Sequence, residues 1–491
     1  MPSNYMIRAY VILLMATLWV GLFSAVRFAV SDAEPEAELT SFALVEGVDS
    51  VEVEALDGKA TPAGEAEVLS DMAAPETHMP PPQKVFAQPK PVVESPAPEP
   101  KAERQVPQLP MEQFFSALDR LRHRGGKVRI AYFGDSMIEG DLITQSLRND
   151  LQEAFGGEGV GFVPISSEIP GFRKTVRHRI GAWKAYNYFS PGVKNMELGI
   201  SGELFFAEHS WAKTQSWVRY KSADVYPRTS EFRQIKMFYG KARPHKNKKP
   251  FVIVGTSAHK DTMDMEAFSK VNQLTLADSS TKEINLNFHI SKDMPVYGLS
   301  MESKEGIFVD NFPSRGNSGM MLNRIPGEIL SGFHKVMDYD LIVLQFGLNV
   351  VSASRKSYES YRKGMEKVVK HFQTYMPNTD ILIVSVSDKS TRINGVLQTD
   401  PSVPLIVEAQ RKVADDNQVG FLNLYEAMGG RNSMIRWVRS KPSLARSDYA
   451  HPNHRGAKQV AKIVREFLME EFDSFAEQKS GNLPSSPFSM R

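Results

Sequence analysis

Residues 127–136 read KVRIAYFGDS, an almost unbroken apolar run that stops at a glycine, an acid and a serine. A strand buried on both faces has this texture, whereas a strand with one wet face alternates apolar and polar residues. The stretch Leu142–Phe155 that follows carries the period of an amphipathic helix. Similar apolar runs recur at Gly306–Asp310, Asp340–Gly347 (DLIVLQFG), Asp380–Ser387 (DILIVSVS) and Val419–Leu424. Helical patterns lie among them at Ser357–Phe372, Pro404–Asp415 and Arg455–Phe472. Strand alternating with helix predicts an α/β domain whose parallel sheet is covered on both faces. Residues 185–303 interrupt it with short alternating stretches such as FVIVG and INLNFHI, and with no long helix. That change of texture predicts an inserted β-sandwich-like domain after the first strand–helix unit.

Outward from this core the chain changes character twice. With 491 residues it is too long for one ordinary core. Tyr10–Val26 (YVILLMATLWVGLFSAV) has no charge, with Arg8 before it and Arg27 after it. Extended to residue 30, it reaches the lower length of a membrane-spanning helix. The preferred expectation for 1–30 is an uncleaved transmembrane signal anchor; a cleaved signal peptide comes second and a buried soluble helix last. Residues 31–108 hold sixteen acidic, five basic and twelve proline residues. Such a segment cannot bury enough apolar surface to offset its chain entropy, so a disordered, extended linker is expected. Residues 477–491 are expected to be a disordered tail. The α/β part is then 109–184 with 304–476, and the insert is 185–303. The anchor orientation places the domain outside the cytoplasmic membrane, in the periplasm, with the inner membrane as one partner.

Over the whole chain 59 basic residues nearly balance 57 acidic ones, but 109–491 carries 52 against 41. No nucleic-acid motif accompanies that excess, so no nucleic acid is expected, and a preference for an anionic polymer or surface is the modest inference. The absence of cysteine excludes disulfide scaffolds, Cys-ligated metals and thiol nucleophiles. His178, His209, His245 and His289 lack metal-ligand spacing, and no cofactor or metal is expected. Trp183, Trp211 and Trp217 in the insert read first as core residues and second as platforms for sugar rings.

The chemistry-bearing residues sit where strands end, which is where open α/β sheets bind ligands. Ser136 follows the first strand on a turn into a helix and is well placed for nucleophilic attack. Gly-Asp-Ser alone is also a common turn. Asn349, after the strand ending in Gly347, could donate to a developing oxyanion or merely bond its own loop. Gly316 in VDNFPSRGNSG could bring a backbone N–H to a ligand or be a plain turn glycine. Asp448 and His451, three apart before the last helix, could share one cleft, the carboxylate holding the imidazole. The same pair could cap a helix or bind a metal.

Taken in order, these pieces resemble the SGNH (GDSL-type) hydrolase superfamily. Gly134-Asp135-Ser136 is similar to its first block and Gly316 to the glycine of its second. Gly347-Leu348-Asn349 is similar to its third block and Asp448 to Pro452 to its fifth. The residue after Asn349 is Val350, where the family has Asp. The resemblance implies a flavodoxin-like parallel sheet and a Ser-His-Asp mechanism. In it Ser136 is the nucleophile, His451 the base and Asp448 the orienter. The N–H groups of Ser136 and Gly316 and the amide of Asn349 would form the oxyanion hole.

The β-rich insert is similar in arrangement to that of peptidoglycan O-acetylesterases, where it resembles a carbohydrate-binding module. The expected activity is removal of O-acetyl groups from a cell-envelope polysaccharide, with peptidoglycan favoured. An O-acetyltransferase using the same acyl-serine stands second and a non-catalytic wall-binding protein third, with lipid or thioester hydrolysis behind them.

Overall fold

The computed structural model describes residues 110–479 and 481, apart from 168, 209–215 and 243–248. The expected anchor, linker and most of the tail, like Trp211, His209 and His245, lie outside the described residues. Among the described residues no helix is long and apolar enough to cross a membrane.

Five parallel strands form the central sheet: β1 (Lys127–Gly134), β2 (Gly306–Pro313), β3 (Leu341–Gln345), β4 (Asp380–Val384) and β5 (Gly420–Leu422). Their spatial order is β2-β1-β3-β4-β5, the flavodoxin-like order of a doubly wound sheet. Nearly every residue of these strands is buried, which is why they read as unbroken apolar runs. Six longer helices accompany them: α1 (Glu112–Arg124), α2 (Thr144–Phe155), α3 (Gly327–Met337), α4 (Glu359–Tyr375), α5 (Val403–Asn417) and α6 (His454–Lys479). They form two packed groups, α1 with α2 and α6, and α3 with α4 and α5. Helix α6 runs past the expected end of the domain at 476.

The register brings three loops together. Gly134 at the end of β1 pairs with Pro313 of β2 on one side and Gln345 of β3 on the other. The next residues on all three strands therefore emerge along one edge of the sheet, carrying Ser136, Gly316 and Asn349.

Two antiparallel sheets lie between β1 and β2 in the chain. The first has the order 272–277, 234–239, 295–302, 203–207 and 183–187, with 159–164 also paired to 295–302. The second has the order 176–181, 216–222, 283–289, 251–256 and 260–264. Val218, Tyr220, Val254 and Leu286 of the second sheet share a core with Phe205, Met237 and Leu299 of the first. The other face of the first sheet meets the α/β part, where Phe238 and Tyr297 pack on Phe333 and Phe162 packs on Phe312.

The antiparallel region therefore begins at Gly159, earlier than the expected 185. The stretch GVGFVP reads as an apolar run continuing the α/β part, but it pairs antiparallel with Pro295–Glu302. Gly161 makes this fit possible: at φ 68 it has no side chain where the Asp310 carboxylate sits, and Asp310 accepts the Phe162 N–H at 2.8 Å. A buried ion network ties the same edge to β1. Arg129 meets Asp310 at 3.0 Å and also Glu302, which takes the Lys127 ammonium at 2.6 Å.

Candidate active site

Ser136 stands two residues beyond β1, on a turn fixed by its neighbour. The Asp135 carboxylate accepts the Met137 N–H at 3.0 Å, and the Asp135 carbonyl accepts the Ile138 N–H at 3.3 Å. Gly134 leaves the room this turn needs, since a Cβ there would press on Ile138 and on the Gln345 carbonyl.

From the other side, the loop before α6 brings in His451. Its Nε2 lies 2.9 Å from Ser136 Oγ, and its Nδ1 lies 2.9 Å from Asp448 Oδ2. Asp448 Oδ1 accepts the backbone N–H groups of Ala450 and His451 at 2.9 and 3.0 Å. The αL conformation of Tyr449 (φ 56) closes this tight turn. Partial burial pushes the Asp448 carboxyl upward. The bonds from the His451 ring and from the two N–H groups outweigh it and hold the group at about 2. An ionised carboxylate on Nδ1 leaves Nε2 facing the serine as the acceptor, the tautomer that general-base catalysis needs.

The expected oxyanion groups surround the same serine turn. Gly316 has φ 77 with open space where a Cβ would lie. Among the described residues the backbone N–H groups of Ser136 and Gly316 have no intramolecular acceptor. Asn349 is engaged: its Nδ2 donates to the Asn317 carbonyl at 2.9 Å and to Asp135 Oδ2 at 3.2 Å. Val350, in the family's aspartate position, closes this turn by donating its N–H to the Gly347 carbonyl.

Two supporting residues escaped the sequence reading. Asp135 is buried beside Ser136, and burial pushes its carboxyl up to about 6 against the Met137 N–H and the nearby His451 ring. Asn317, also buried, presents its carbonyl to Asn349 and its side-chain oxygen to the Gly319 N–H. Further along the serine turn, Asp141 takes both Arg148 nitrogens at 2.8 Å and the Thr175 hydroxyl at 3.1 Å. Burial would raise its carboxyl, but Arg148 and Arg173 hold it at about 2. Through Arg173 and Thr175 the antiparallel region grips the serine turn. It also reaches the site with Phe172, whose ring occupies the space a Cβ on Gly140 would fill. Of the tryptophans, Trp183 packs edge-on against Phe288 and donates its indole N–H to the Trp217 carbonyl, while Trp217 lies partly in solvent.

No family model matches the chain, and no curated protein matches it. Among solved structures, a peptidoglycan O-acetylesterase is similar at 19% identity and a TM-score of 0.60, covering 74% of this chain and 96% of that one. An acetyl xylan esterase shows 18% identity at a TM-score of 0.24, over 33% of this chain and 81% of that one. A family 3 carbohydrate esterase from Talaromyces cellulolyticus shows 15% identity at 0.26, over 34% and 72%. The last two scores are too low to carry an argument. The first likeness, joined to the β2-β1-β3-β4-β5 order and the serine at the end of β1, shows that the chain has the SGNH hydrolase-type fold.

Proposed function

We propose that this chain is an extracytoplasmic serine esterase that removes O-acetyl groups from a cell-envelope polysaccharide, with peptidoglycan the favoured substrate. The observation that carries the proposal is the continuous relay from Ser136 Oγ through His451 to Asp448, with both links at 2.9 Å. A serine hydroxyl is too weak an acid to attack an ester unaided at neutral pH, and this relay supplies the missing base. His451 Nε2 takes the Ser136 proton as Oγ bonds to the acetyl carbon. The carbonyl oxygen gains negative charge, which the N–H groups of Ser136 and Gly316 receive. The longer of the two Asn349 bonds, to Asp135, is the one an oxyanion would compete for. The sugar oxygen then leaves with the proton from His451, and acetyl-Ser136 remains. Water enters and gives a proton to His451 as its oxygen bonds to the acetyl carbon; the carbon–Oγ bond then breaks, Oγ takes the proton back from His451, and acetate leaves. The likeness to a peptidoglycan O-acetylesterase supports the choice of substrate.

The test is acetate release from O-acetylated peptidoglycan by the full chain. Release that Ser136→Ala abolishes is expected; no release from peptidoglycan or any other O-acetylated envelope glycan would refute the esterase. Movement of acetyl groups onto added glycan without free acetate would mark a transferase instead. Residues 1–30 are proposed to hold the enzyme in the inner membrane, with 31–108 as its tether. Recovery of the intact chain in the membrane pellet, and of a chain lacking 1–30 in the soluble fraction, would support this. An intact chain found only in the soluble fraction would overturn it.

A further inference from the structure

The segment that carries His451 also carries most of the excess positive charge of residues 109–491. Positions 429–465 hold nine lysines and arginines and one acid, Asp448, which is committed to His451. Eight of the eleven surplus positive charges of 109–491 therefore fall within these 37 positions. Arg431, Arg439, Lys441, Arg446, Arg455 and Lys458 are exposed. Among the described residues only Lys462 of the nine cations reaches a carboxylate, Glu466 at 3.5 Å. Crowded like charges cost stability by mutual repulsion, and they raise the local concentration of polyanions around a cleft they border.

Arg446 is tied to the base through the backbone. Leu444–Arg446 and His451–Asn453 pair as a short antiparallel clip. Ala445 bridges Pro452, and the Arg446 N–H donates to the His451 carbonyl at 2.9 Å. The Asn453 N–H donates to the Leu444 carbonyl at 3.0 Å, and the Arg446 carbonyl accepts the Tyr449 N–H at 3.2 Å. Arg446 is thus held opposite His451 by the clip that presents Asp448. Its guanidinium does none of this holding. Among the described residues it has no hydrogen bond and no ion pair, and it lies 6.0 Å over the Phe172 ring, at the outer reach of a cation–π contact. That ring fills the space beside Gly140 of the serine turn and lies 6.3 Å from the His454 ring. The other two arginines near this turn are already used. Arg315 pairs with Glu139 at 3.0 Å, and Arg173 donates to the Phe162 and Val160 carbonyls at 2.9 and 2.7 Å. Arg446 is the one of these three whose donors stay open.

We infer that Arg446 is a specificity-determining contact for an anionic substrate, its guanidinium receiving a carboxylate that the polymer carries near the ester attacked by Ser136. The cations around it draw the polymer in. This inference rests on the esterase reading and adds to it the charge of the substrate. A carboxylate can meet the guanidinium fork through two parallel N–H···O bonds, a geometry that an ammonium cannot reproduce. A neutral glycan leaves the fork in water and gains nothing from it. The competing roles for Arg446 are a solvated surface residue and a brace of the His451 turn.

The experiment assays the full chain on soluble fragments of O-acetylated peptidoglycan, whose peptides carry free carboxylates, and on the same fragments after those carboxylates are converted to methylamides. Wild-type kcat/KM should be higher on the charged fragments, and rising ionic strength should narrow the gap. Arg446→Gln should lose roughly three- to tenfold in kcat/KM on the charged fragments, chiefly through KM, and most of that loss should vanish on the amidated ones. Arg446→Lys, which keeps the charge without the fork, should recover part of it. Equal losses of Arg446→Gln on both substrates would make the residue a brace of the His451 turn. A wild type without charge preference would make it a solvated surface residue. Either result overturns the inference and leaves the esterase standing. Co-sedimentation of the full chain with the insoluble polymer, charged or amidated, reads the same contact without turnover. If neither form is hydrolysed the esterase reading fails; weaker sedimentation of Arg446→Gln with the charged polymer alone would still support the anion contact, and sedimentation equal to wild type would overturn that too.

Discussion

The parallel sheet and the two antiparallel sheets solve different problems with different sequence textures. In the parallel part each strand is covered on both faces and spends its residues on burial, leaving the chemistry to the loops beyond its carboxyl edge. In the antiparallel part a strand such as Ser216–Ser222 buries every second residue and gives the others to solvent. Ser136, His451 and Asp448 all come from the first region. The second supplies the buried grip on Asp141. The candidate triad thus belongs to one region, while its positioning draws on both.

Substitutions can break that division. The largest effect should come from Ser136→Ala or His451→Ala, each costing on the order of 10⁴–10⁶ in kcat for a small aryl acetate, and the double variant no more. Additive losses would mean that the two residues do not act as one relay. Asn349→Ala should cost about 10²–10³ if its amide serves the oxyanion, and steady-state kinetics on folded protein would show it. A loss under tenfold would leave Asn349 as a brace between Asp135 and Asn317.

The seam between the regions should register in stability rather than in chemistry. Glu302→Ala uncovers the buried Arg129 and should cost about 3–5 kcal/mol in denaturant unfolding. Burial raises the Glu302 carboxyl, but Arg129 and Lys127 outweigh it and hold it at about 2, below its ordinary 4.5. Its contribution is therefore present above pH 4.5 and lost as pH falls through about 2. An antiparallel part that unfolds separately, leaving the α/β transition unmoved in Glu302→Ala, would break the picture of a shared seam.

The smallest effect contrasts a carboxylate at the site with that one. Asp135 is raised from 3.8 to about 6 by burial, so its protonated form is the one the fold favours. Its contribution is full below pH 3.8 and lost as pH rises through about 6. Asp135→Asn should then stabilise the protein at pH 7 by up to about 2–3 kcal/mol, an advantage that fades below about pH 4. Unfolding curves at the two pH values check this; a variant less stable at pH 7 would mean that the Asn349 bond outweighs the burial.

The sequence showed what is local. Unbroken apolar runs marked β1 to β5, and the residues after β1 and β3 and before α6 offered the candidate set that the fold brings together. It did not show what depends on distant pairing. Gly159–Pro164 looks like one more strand of the α/β part until its partner at 295–302 is known. Asp135 passes for part of a turn because Asn349, which it holds, lies 214 residues away. Nothing local in the sequence pairs Arg129 with Asp310 and Glu302, since burial of an ion pair is decided by tertiary contact. Trp217 could be core or platform by its sequence, and the side it takes depends on which face of its sheet stays wet.

Whether Ser136 carries the acyl group is read by mass spectrometry of the full chain, acid-quenched during aryl acetate turnover. One added acetyl mass is expected on the peptide containing Ser136, and none in Ser136→Ala. Turnover with no acetyl on that peptide, or with undiminished rate in folded Ser136→Ala, would contradict it.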